Sequence, residues 1–153
     1  MSELLEDDVA AEPVAQFGVW FEEAVAAGEA EPEAMCLSTA TRDGTPSARM
    51  VLLKAYDESG FVFYTNESSR KGAELLANPR AALTWRWRLL DRQVRVTGPV
   101  HPVTPEQSDA YFASRARGSQ LGAWASEQSS VIPVEPGRPP RAALDAAVAA
   151  AEQ

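Results

Sequence analysis

Apolar positions along this chain follow a helical spacing first and a strand spacing afterwards. From Val14 to Ala27, large apolar residues recur at intervals of three and four, which predicts an amphipathic helix covering one side of the core. Short segments rich in β-branched and aromatic residues follow, separated by turn residues, and they predict antiparallel strands. The predicted strands are Ala34–Thr41, Arg49–Tyr56, Phe61–Thr65, Arg80–Arg88 and Arg92–Val103.

Three further helices are indicated by capping signals and composition. One spans Ser69–Ala77 and is closed by an Asn-Pro pair, and an Ala-rich one spans Arg141–Glu152. Between them, Thr104–Gln107 forms a capping-box pattern that starts a helix running to about Arg115. Five strands around one inserted helix predict a mainly β protein with flanking helices (α+β), built as a small antiparallel barrel or sandwich.

Length and composition predict a single folded domain. With 153 residues, 45% of them apolar, the chain can bury one core and not two. Residues 1–12 are acidic without apolar periodicity and predict a disordered tail. The folded domain is expected over 13–132, and 133–153 is expected to hold a proline-rich linker and the last helix.

Net charge and residue types exclude several classes of protein. A net charge of −8 argues against a general nucleic-acid binder. The chain has no apolar run near the roughly 20 residues of a membrane helix, and its acidic start differs from a signal peptide, so we expect a cytoplasmic protein. One cysteine, Cys36, and one histidine, His101, are too few for a zinc site.

Two cations at the start of the second predicted helix indicate an anion site. Arg70 and Lys71 stand in its first turn, where positive charge opposes the helix dipole unless an anion binds there. The alternative is a solvated pair on a surface helix. Arg49 and Lys54 add positive charge nearby in an otherwise acidic chain, which favours a phosphate site.

The cations Arg49 and Lys54 raise a geometric difficulty. Positions five apart lie on opposite faces of a regular strand, so both reach one ligand only if the strand bulges or the ligand crosses its edge. The alternative is that one of the two is a surface charge.

Three other positions are weaker candidates. Gln93 alternates with inward-facing valines and could bond a flat heterocycle, although solvent exposure is the default. Tyr111 and Arg115 are four residues apart on a predicted helix, and Ser119 follows at the next interval of four. They form either a second phosphate pocket or an ordinary surface pair beside a Gly118 turn.

Five strings of residues occur together in one order. They are RMVLLK at Arg49–Lys54, FYTN at Phe63–Asn66 followed by SRK at Ser69–Lys71, RQV at Arg92–Val94, and SQLGAWASEQSS at Ser119–Ser130. In that order they closely resemble the pyridoxine/pyridoxamine 5'-phosphate oxidases, over about residues 14–132.

The resemblance implies a fold, a cofactor and a reaction. The fold is an antiparallel FMN-binding split β-barrel, working as a homodimer with the flavin in the subunit interface. In the family, a hydride passes from the substrate's C4′ carbon to flavin N5, which converts pyridoxine or pyridoxamine 5'-phosphate to pyridoxal 5'-phosphate. Dioxygen is then reduced to hydrogen peroxide. Because the cofactor carries this chemistry, we identify no catalytic acid, base or nucleophile.

Matching positions imply the ligand contacts. The implied FMN contacts are Arg49, Met50, Val51, Leu52, Leu53, Lys54, Tyr64, Thr65, Arg70, Lys71, Gln93, Gln128 and Ser129. The implied contacts to the substrate phosphate are Lys54, Tyr111, Arg115 and Ser119.

The sequence departs from the family's pattern at its end. Family members continue into further strands with a Trp-Gly-Gly element, an arginine on the flavin and an Arg-Leu-His motif, whereas this sequence stops at Gln153. We therefore expect a fragment or a shortened relative. Two alternatives to the oxidase stay open: a flavin- or pyridoxal-phosphate-binding protein without turnover, and an FMN oxidase for another substrate, such as a phenazine precursor.

Overall fold

The computed structural model describes residues 5–126, 128–130 and 139–152. The strands in these residues are β1 (Ala34–Ala40), β2 (Pro46–Leu52), β3 (Ala55–Asp57), β4 (Gly60–Val62), β5 (Arg80–Trp87) and β6 (Arg92–Pro99). The helices are α1 (Pro13–Ala26), α2 (Arg70–Ala77), α3 (Pro105–Ser114), α4 (Arg117–Ala125) and α5 (Pro140–Ala151), preceded by a single 3-10 turn at Glu6–Asp8.

The strands form two antiparallel sheets. Four of them make the main sheet in the order β2-β1-β5-β6, and β3 pairs with β4 in a separate hairpin. In the main sheet, Cys36 of β1 lies between Met50 of β2 and Thr84 of β5, and Thr84 in turn pairs with Arg95 of β6. Strands β2 and β6 are therefore the two edges, and the predicted mainly β class with flanking helices is confirmed.

An aromatic cluster centred on Phe17 holds α1 to both sheets. The Phe17 ring is 3% exposed and lies 5.0 Å from the Trp85 ring and 4.8 Å from the Phe61 ring, each in an edge-to-face arrangement. Such pairs add about 0.5–1.5 kcal/mol each beyond the burial of their area. Trp87, which is also buried, donates its indole N–H to the Pro32 carbonyl at 2.9 Å.

The helix signals in the sequence predicted most helices well. Helix α1 begins at Pro13, and α3 carries the full capping box between Thr104 and Gln107. Helix α5 lies where alanine-rich composition placed it. The short 3-10 turn falls inside the segment expected to be a disordered tail, and that expectation stays a prediction.

The predicted strand Arg49–Tyr56 is wrong, because the chain changes sheets in its middle. Strand β2 ends at Leu52, and β3 begins at Ala55. Between them, the Leu53 N–H donates to the Glu33 carbonyl and the Lys54 N–H to the Val62 carbonyl. The run contains no glycine, proline or asparagine, so no turn residue marked the crossing.

The predicted ends of β4 and β6 also need correction, and one helix was missed. Strand β4 stops at Val62 rather than Thr65, and β6 stops at Pro99 rather than Val103 because its partner β5 begins at Arg80, which pairs with Pro99. Helix α4 was not predicted. Two glycines, Gly118 and Gly122, lie inside it, and their low helix propensity concealed it.

Candidate anion-binding site

The turn before α2 is held tightly against the helix. Ser69 is completely buried at the N-cap, where its Oγ accepts from the Gly72 N–H at 3.3 Å and donates to the Asn66 carbonyl at 2.6 Å. A Cβ at Gly72 would lie 2.1 Å from the Glu67 carbonyl oxygen, so the helix start and the turn approach each other closely. The two cations of the first helical turn are thereby given defined positions.

Helix α2 turns charged side chains inward and an apolar one outward. Lys71 is 8% exposed and Glu74 5%, whereas Leu76 is 89% exposed. A helix on the surface of a globular protein normally shows the reverse pattern. Because burying charge costs free energy unless it is compensated, this inward face calls for a functional explanation.

Lys71 is a buried cation that faces another cation. Its Nζ donates to Gln128 Oε1 at 2.7 Å and to Ser69 Oγ at 3.3 Å. Burial is the larger cause that lowers the pKa of Lys71 below its usual 10.5, and the positive charge of Arg49 is the second. Because Lys71 bonds only neutral partners and feels the positive charge of Arg49, an anion bound here would be stabilised.

Arg49 reaches from β2 into a polar cluster beneath α2. Its guanidinium donates to Thr39 Oγ1 at 2.6 Å, to Ser47 Oγ at 2.5 Å and to the Leu37 carbonyl at 3.2 Å. It also lies 3.3 Å from a carboxylate oxygen of Glu74. Arg49 is therefore held on the core-facing side of the edge strand, close to the start of α2.

Arg70 lies on the solvent side of the same cluster. Its Nε donates to Glu74 Oε1 at 2.9 Å, while its side chain stays 62% exposed. Among the described residues, this Nε contact is the one that the structure gives the Arg70 guanidinium. Its terminal nitrogens are thus available to a ligand from solvent.

Gln128, which is more than 50 residues further along the chain, contacts the turn before α2. Gln128 contacts Lys71, and its Oε1 also lies 3.5 Å from Thr65 Oγ1, the upper limit for a hydrogen bond. Ser129 beside it has a φ of 73°, an uncommon conformation outside glycine. Thr65, Lys71 and Gln128, which the sequence analysis selected as cofactor contacts, are therefore neighbours in space.

The remaining predicted contacts of the RMVLLK string occupy several environments. Val51 faces the core and Leu53 is buried, whereas Met50 and Leu52 are 64% and 39% exposed on the outer face of β2. Lys54 is exposed between the two sheets. Since the strand ends before Lys54, the objection from strand periodicity does not apply to the pair Arg49 and Lys54.

Gln93 lies far from this cluster. It is exposed on β6, paired with Arg86 of β5, on the face opposite to the core-facing Val94. Strand β6 is separated from β2 by three strand spacings, about 14 Å, and Arg49 faces the other side of the sheet. Gln93 is therefore not brought together with the cations of the same chain.

The second predicted pocket is only partly assembled. Tyr111 stacks on Tyr64 with ring centroids 3.8 Å apart and 5° between planes, and Arg115 lies over the Phe112 ring at 5.8 Å. The interval of four does not continue to Ser119, because α3 ends at Ser114 and the backbone of the following residues is extended. Ser119 therefore does not continue the α3 face that carries Tyr111, so this part of the prediction is wrong, and convergence of these side chains stays a prediction.

Comparison with known proteins decides the family. The model of the family described as Pyridoxamine 5'-phosphate oxidase matches residues 21–153. The chain belongs to the pyridoxamine 5'-phosphate oxidase family. Pyridoxine/pyridoxamine 5'-phosphate oxidases are 59% identical in Cupriavidus pinatubonensis, over 87% of this chain and 63% of that protein, and 62% identical in Rubrobacter xylanophilus, over 82% and 58%. The chain thus spans about three fifths of the length of these relatives.

Solved structures of the pyridoxamine 5'-phosphate oxidase type share the fold. PhzG from Burkholderia lata, solved with tetrahydrophenazine-1-carboxylic acid, matches with a TM-score of 0.84 and 29% identity over 97% of this chain and 74% of that one. A pyridoxamine 5'-phosphate oxidase-related, FMN binding protein from Nostoc punctiforme matches with a TM-score of 0.63 over 90% and 71%. At 18% identity, the latter shows the fold alone. The predicted split β-barrel is confirmed.

Several residues of the cluster escaped the sequence analysis. Glu74, Thr39 and Ser47 are spread over three elements, so no string connects them. One signal was present: Glu74 stands four residues after Arg70, on the helix face that holds Lys71, where a surface helix would place apolar residues.

The described residues, 5–126, 128–130 and 139–152, also bear on metal binding and on membrane crossing. These residues contain no group of three histidine, cysteine, aspartate or glutamate side chains that could hold a metal ion. None of the helices in these ranges is both long enough and apolar enough to cross a membrane.

Proposed function

We propose that this chain binds FMN and that the cations at the start of α2 hold the flavin phosphate. The observation that carries the proposal is the burial of Lys71 beside Arg49, which lowers the pKa of the lysine. A phosphate dianion would reverse both costs, because it offers charge and acceptor atoms to the buried ammonium. Arg70 would close the site from the solvent side.

The chemistry of the donors fits a phosphate monoester. Lys71 and Arg70 supply positive charge, the Thr65 hydroxyl and the Gln128 side-chain amide supply neutral donors, and all four belong to one region of the fold. When bound, FMN supplies the two-electron chemistry by which a substrate is oxidised and dioxygen is reduced to hydrogen peroxide. The protein's own part is then to bind, to orient and to keep water from the site.

We propose pyridoxine or pyridoxamine 5'-phosphate as the substrate, with pyridoxal 5'-phosphate as the product. Support comes from relatives of 56–62% identity that carry this name in bacteria and in Arabidopsis thaliana. Lys54, Tyr111, Arg115 and Ser119 would bind the substrate phosphate. The stacked ring of Tyr64 gives Tyr111 a fixed plane from which its hydroxyl could reach that group.

A second copy of the chain is proposed to complete the flavin site. Gln93 and the cation cluster lie on opposite faces and opposite edges of the sheet, so one chain does not present both to a single flavin. Exposed Met50 and Leu52 give β2 an apolar outer face, as expected where an edge strand is covered by a partner. In a homodimer, Gln93 would act on the flavin held by the other chain.

Mixing two variants tests this arrangement. Lys71→Met should damage the phosphate site and Gln93→Ala the ring contact, so each variant alone should bind FMN weakly. If the site is shared, a heterodimer of the two variants carries one site with both lesions and one intact site. The mixture should then recover tight binding in up to half of the heterodimer's sites, whereas unrecovered affinity in a verified heterodimer would assign Gln93 to its own chain's site or to none.

A second substrate class has a specific observation behind it. PhzG, whose structure holds a tetrahydrophenazine carboxylic acid, covers 97% of this chain at a TM-score of 0.84. Its identity of 29% is about half that of the pyridoxine/pyridoxamine 5'-phosphate oxidases, so it remains the second candidate.

Peroxide release tests the choice of substrate. The FMN-loaded protein should release hydrogen peroxide with pyridoxamine 5'-phosphate and none with pyridoxamine, since the phosphate contacts would be lost. Peroxide from a reduced phenazine carboxylic acid alone would favour the second candidate. If no substrate gives peroxide although FMN binds tightly, the result would support a flavin-binding protein without turnover.

A further inference from the structure

Glu74 is a buried carboxylate that joins three elements of the fold. It lies on α2, and its Oε2 accepts from Thr39 Oγ1 of β1 and from Ser47 Oγ of β2, both at 2.5 Å. The same oxygen is 3.3 Å from Arg49, while Oε1 accepts from Arg70 at 2.9 Å. Both carboxylate oxygens therefore accept from protein donors.

The carboxylate restricts both arginines of the proposed phosphate site. Arg49 is 22% exposed and Arg70 62%, so Arg70 would sample many rotamers in solvent without its bond through Nε. A guanidinium bonded through Nε keeps its terminal nitrogens in one plane and one direction. Holding Arg70 in this way reduces the ordering cost of binding an anion.

We propose that Glu74 is a positioning residue for the phosphate of the bound flavin: it fixes Arg49 and Arg70 around Lys71 without touching the ligand. The inference rests on the proposed function, because it concerns the same anion site. It goes further by assigning a role in phosphate recognition to a residue of the opposite charge to its neighbours.

Because Glu74 is negatively charged, the direction in which its replacement changes anion affinity distinguishes two explanations. Removing a negative charge from beside an anion site strengthens anion binding if only Coulomb attraction matters. Removing a side chain that orients two guanidinium groups weakens it. The two explanations thus predict opposite changes in affinity for the same substitution.

Glu74→Gln in the whole chain provides this test, with FMN and riboflavin as paired ligands. Riboflavin carries the same ring without the phosphate, so a change in general folding would alter both affinities alike. We expect FMN affinity to fall about tenfold, corresponding to the loss of one oriented charge-assisted bond, with riboflavin affinity unchanged. Glu58→Gln, at an exposed turn between β3 and β4, is the charge-matched control.

Ser47→Ala gives a second variant that keeps the charge of Glu74. Its hydroxyl bonds both Glu74 and Arg49, so its loss should also lower FMN affinity selectively, by a smaller factor. This variant keeps the test open if Glu74→Gln does not fold.

Three outcomes would overturn the inference. Equal or tighter FMN binding by Glu74→Gln would leave only the Coulomb effect, and equal losses for FMN and riboflavin would leave only a structural role. Selective loss in Glu74→Gln with no change in Ser47→Ala would remove the proposed hydrogen-bond linkage. Failure of the unmodified chain to bind FMN is a separate result, which would remove the proposed function itself.

Discussion

Phe17 and Lys71 are almost equally buried, at 3% and 8% exposure, yet their surroundings differ in kind. Phe17 meets five aromatic rings with centroids 4.8–5.9 Å away, and every one of those contacts favours the folded state. Lys71 meets a hydroxyl, an amide and the field of another cation. Burial thus stabilises the fold in the first region and costs stability in the second, which is the expected signature of a binding site.

The largest effect on stability is expected in the aromatic region. Phe17→Ala removes a ring packed between α1 and both sheets, so the free energy of unfolding should fall by about 3–5 kcal/mol. Urea denaturation measures this change. Leu76→Ala, at a side chain 89% exposed, is the matched control and should stay within about 0.5 kcal/mol of the unmodified chain. A loss as small as the control's would mean that Phe17 is not a centre of the core.

Lys71→Met should lower FMN affinity without lowering stability, in contrast to the loss of stability expected for Phe17→Ala. Methionine fills a similar volume without a charge to desolvate, so the free energy of unfolding of the FMN-free protein should stay the same or rise. FMN affinity should fall about tenfold to a hundredfold, the range for losing a hydrogen bond between charged groups. Arg88→Gln, an exposed cation in the hairpin between β5 and β6, should change neither quantity. A destabilised Lys71→Met with normal FMN affinity would make the lysine structural.

Acid should remove the stabilisation that Glu74 gives the polar cluster, over a defined range of pH. Hydrogen bonds from Ser47, Thr39 and then Arg70 lower the pKa of Glu74 from 4.5 to about 2. A carboxyl group whose pKa is lowered by folding stabilises the fold above its unfolded value and loses that contribution as pH falls through the folded value. The free energy of unfolding should therefore decline between about pH 4.5 and pH 2.

Glu74→Gln isolates this contribution from those of other carboxyl groups. The pKa values of Asp43 and Glu106 are also lowered by hydrogen bonds, so both proteins lose some stability in acid. The variant should lose less, because glutamine does not titrate and so carries no acid-sensitive contribution at this position. Identical pH dependence in urea titrations at pH 5 and pH 3 would show that Glu74 is already protonated or unbonded in the fold.

The fold followed from local signals to a large extent. Helical spacing gave α1, and capping residues gave α2 and α3. The crossing after β2 was missed because its determinants are long-range: the backbone of Leu53 bonds to Glu33, and that of Lys54 to Val62. No feature of the RMVLLK string itself encodes those partners.

The residues of the candidate site also divide into those that were predicted from the sequence and those that were missed. Lys71 and Arg70 were predicted from their place in a first helical turn, and Thr65 and Gln128 from resemblance to the family. Glu74 was missed because its importance arises from β1 and β2 side chains that reach it across the fold. Gln93 was selected, but the chain alone does not place it beside the cations, and its contact with the flavin depends on the proposed homodimer.

The measurement that bears most directly on the buried cations is the stabilisation by FMN of the unmodified chain and of Lys71→Met. A ligand that binds only the folded state raises the free energy of unfolding by about 2.7 kcal/mol when present at a hundred times its Kd. At one fixed FMN concentration, we predict a clear rise in Tm for the unmodified chain and a much smaller rise for Lys71→Met. No rise in the unmodified chain, or equal rises in both, would contradict a phosphate site at Lys71.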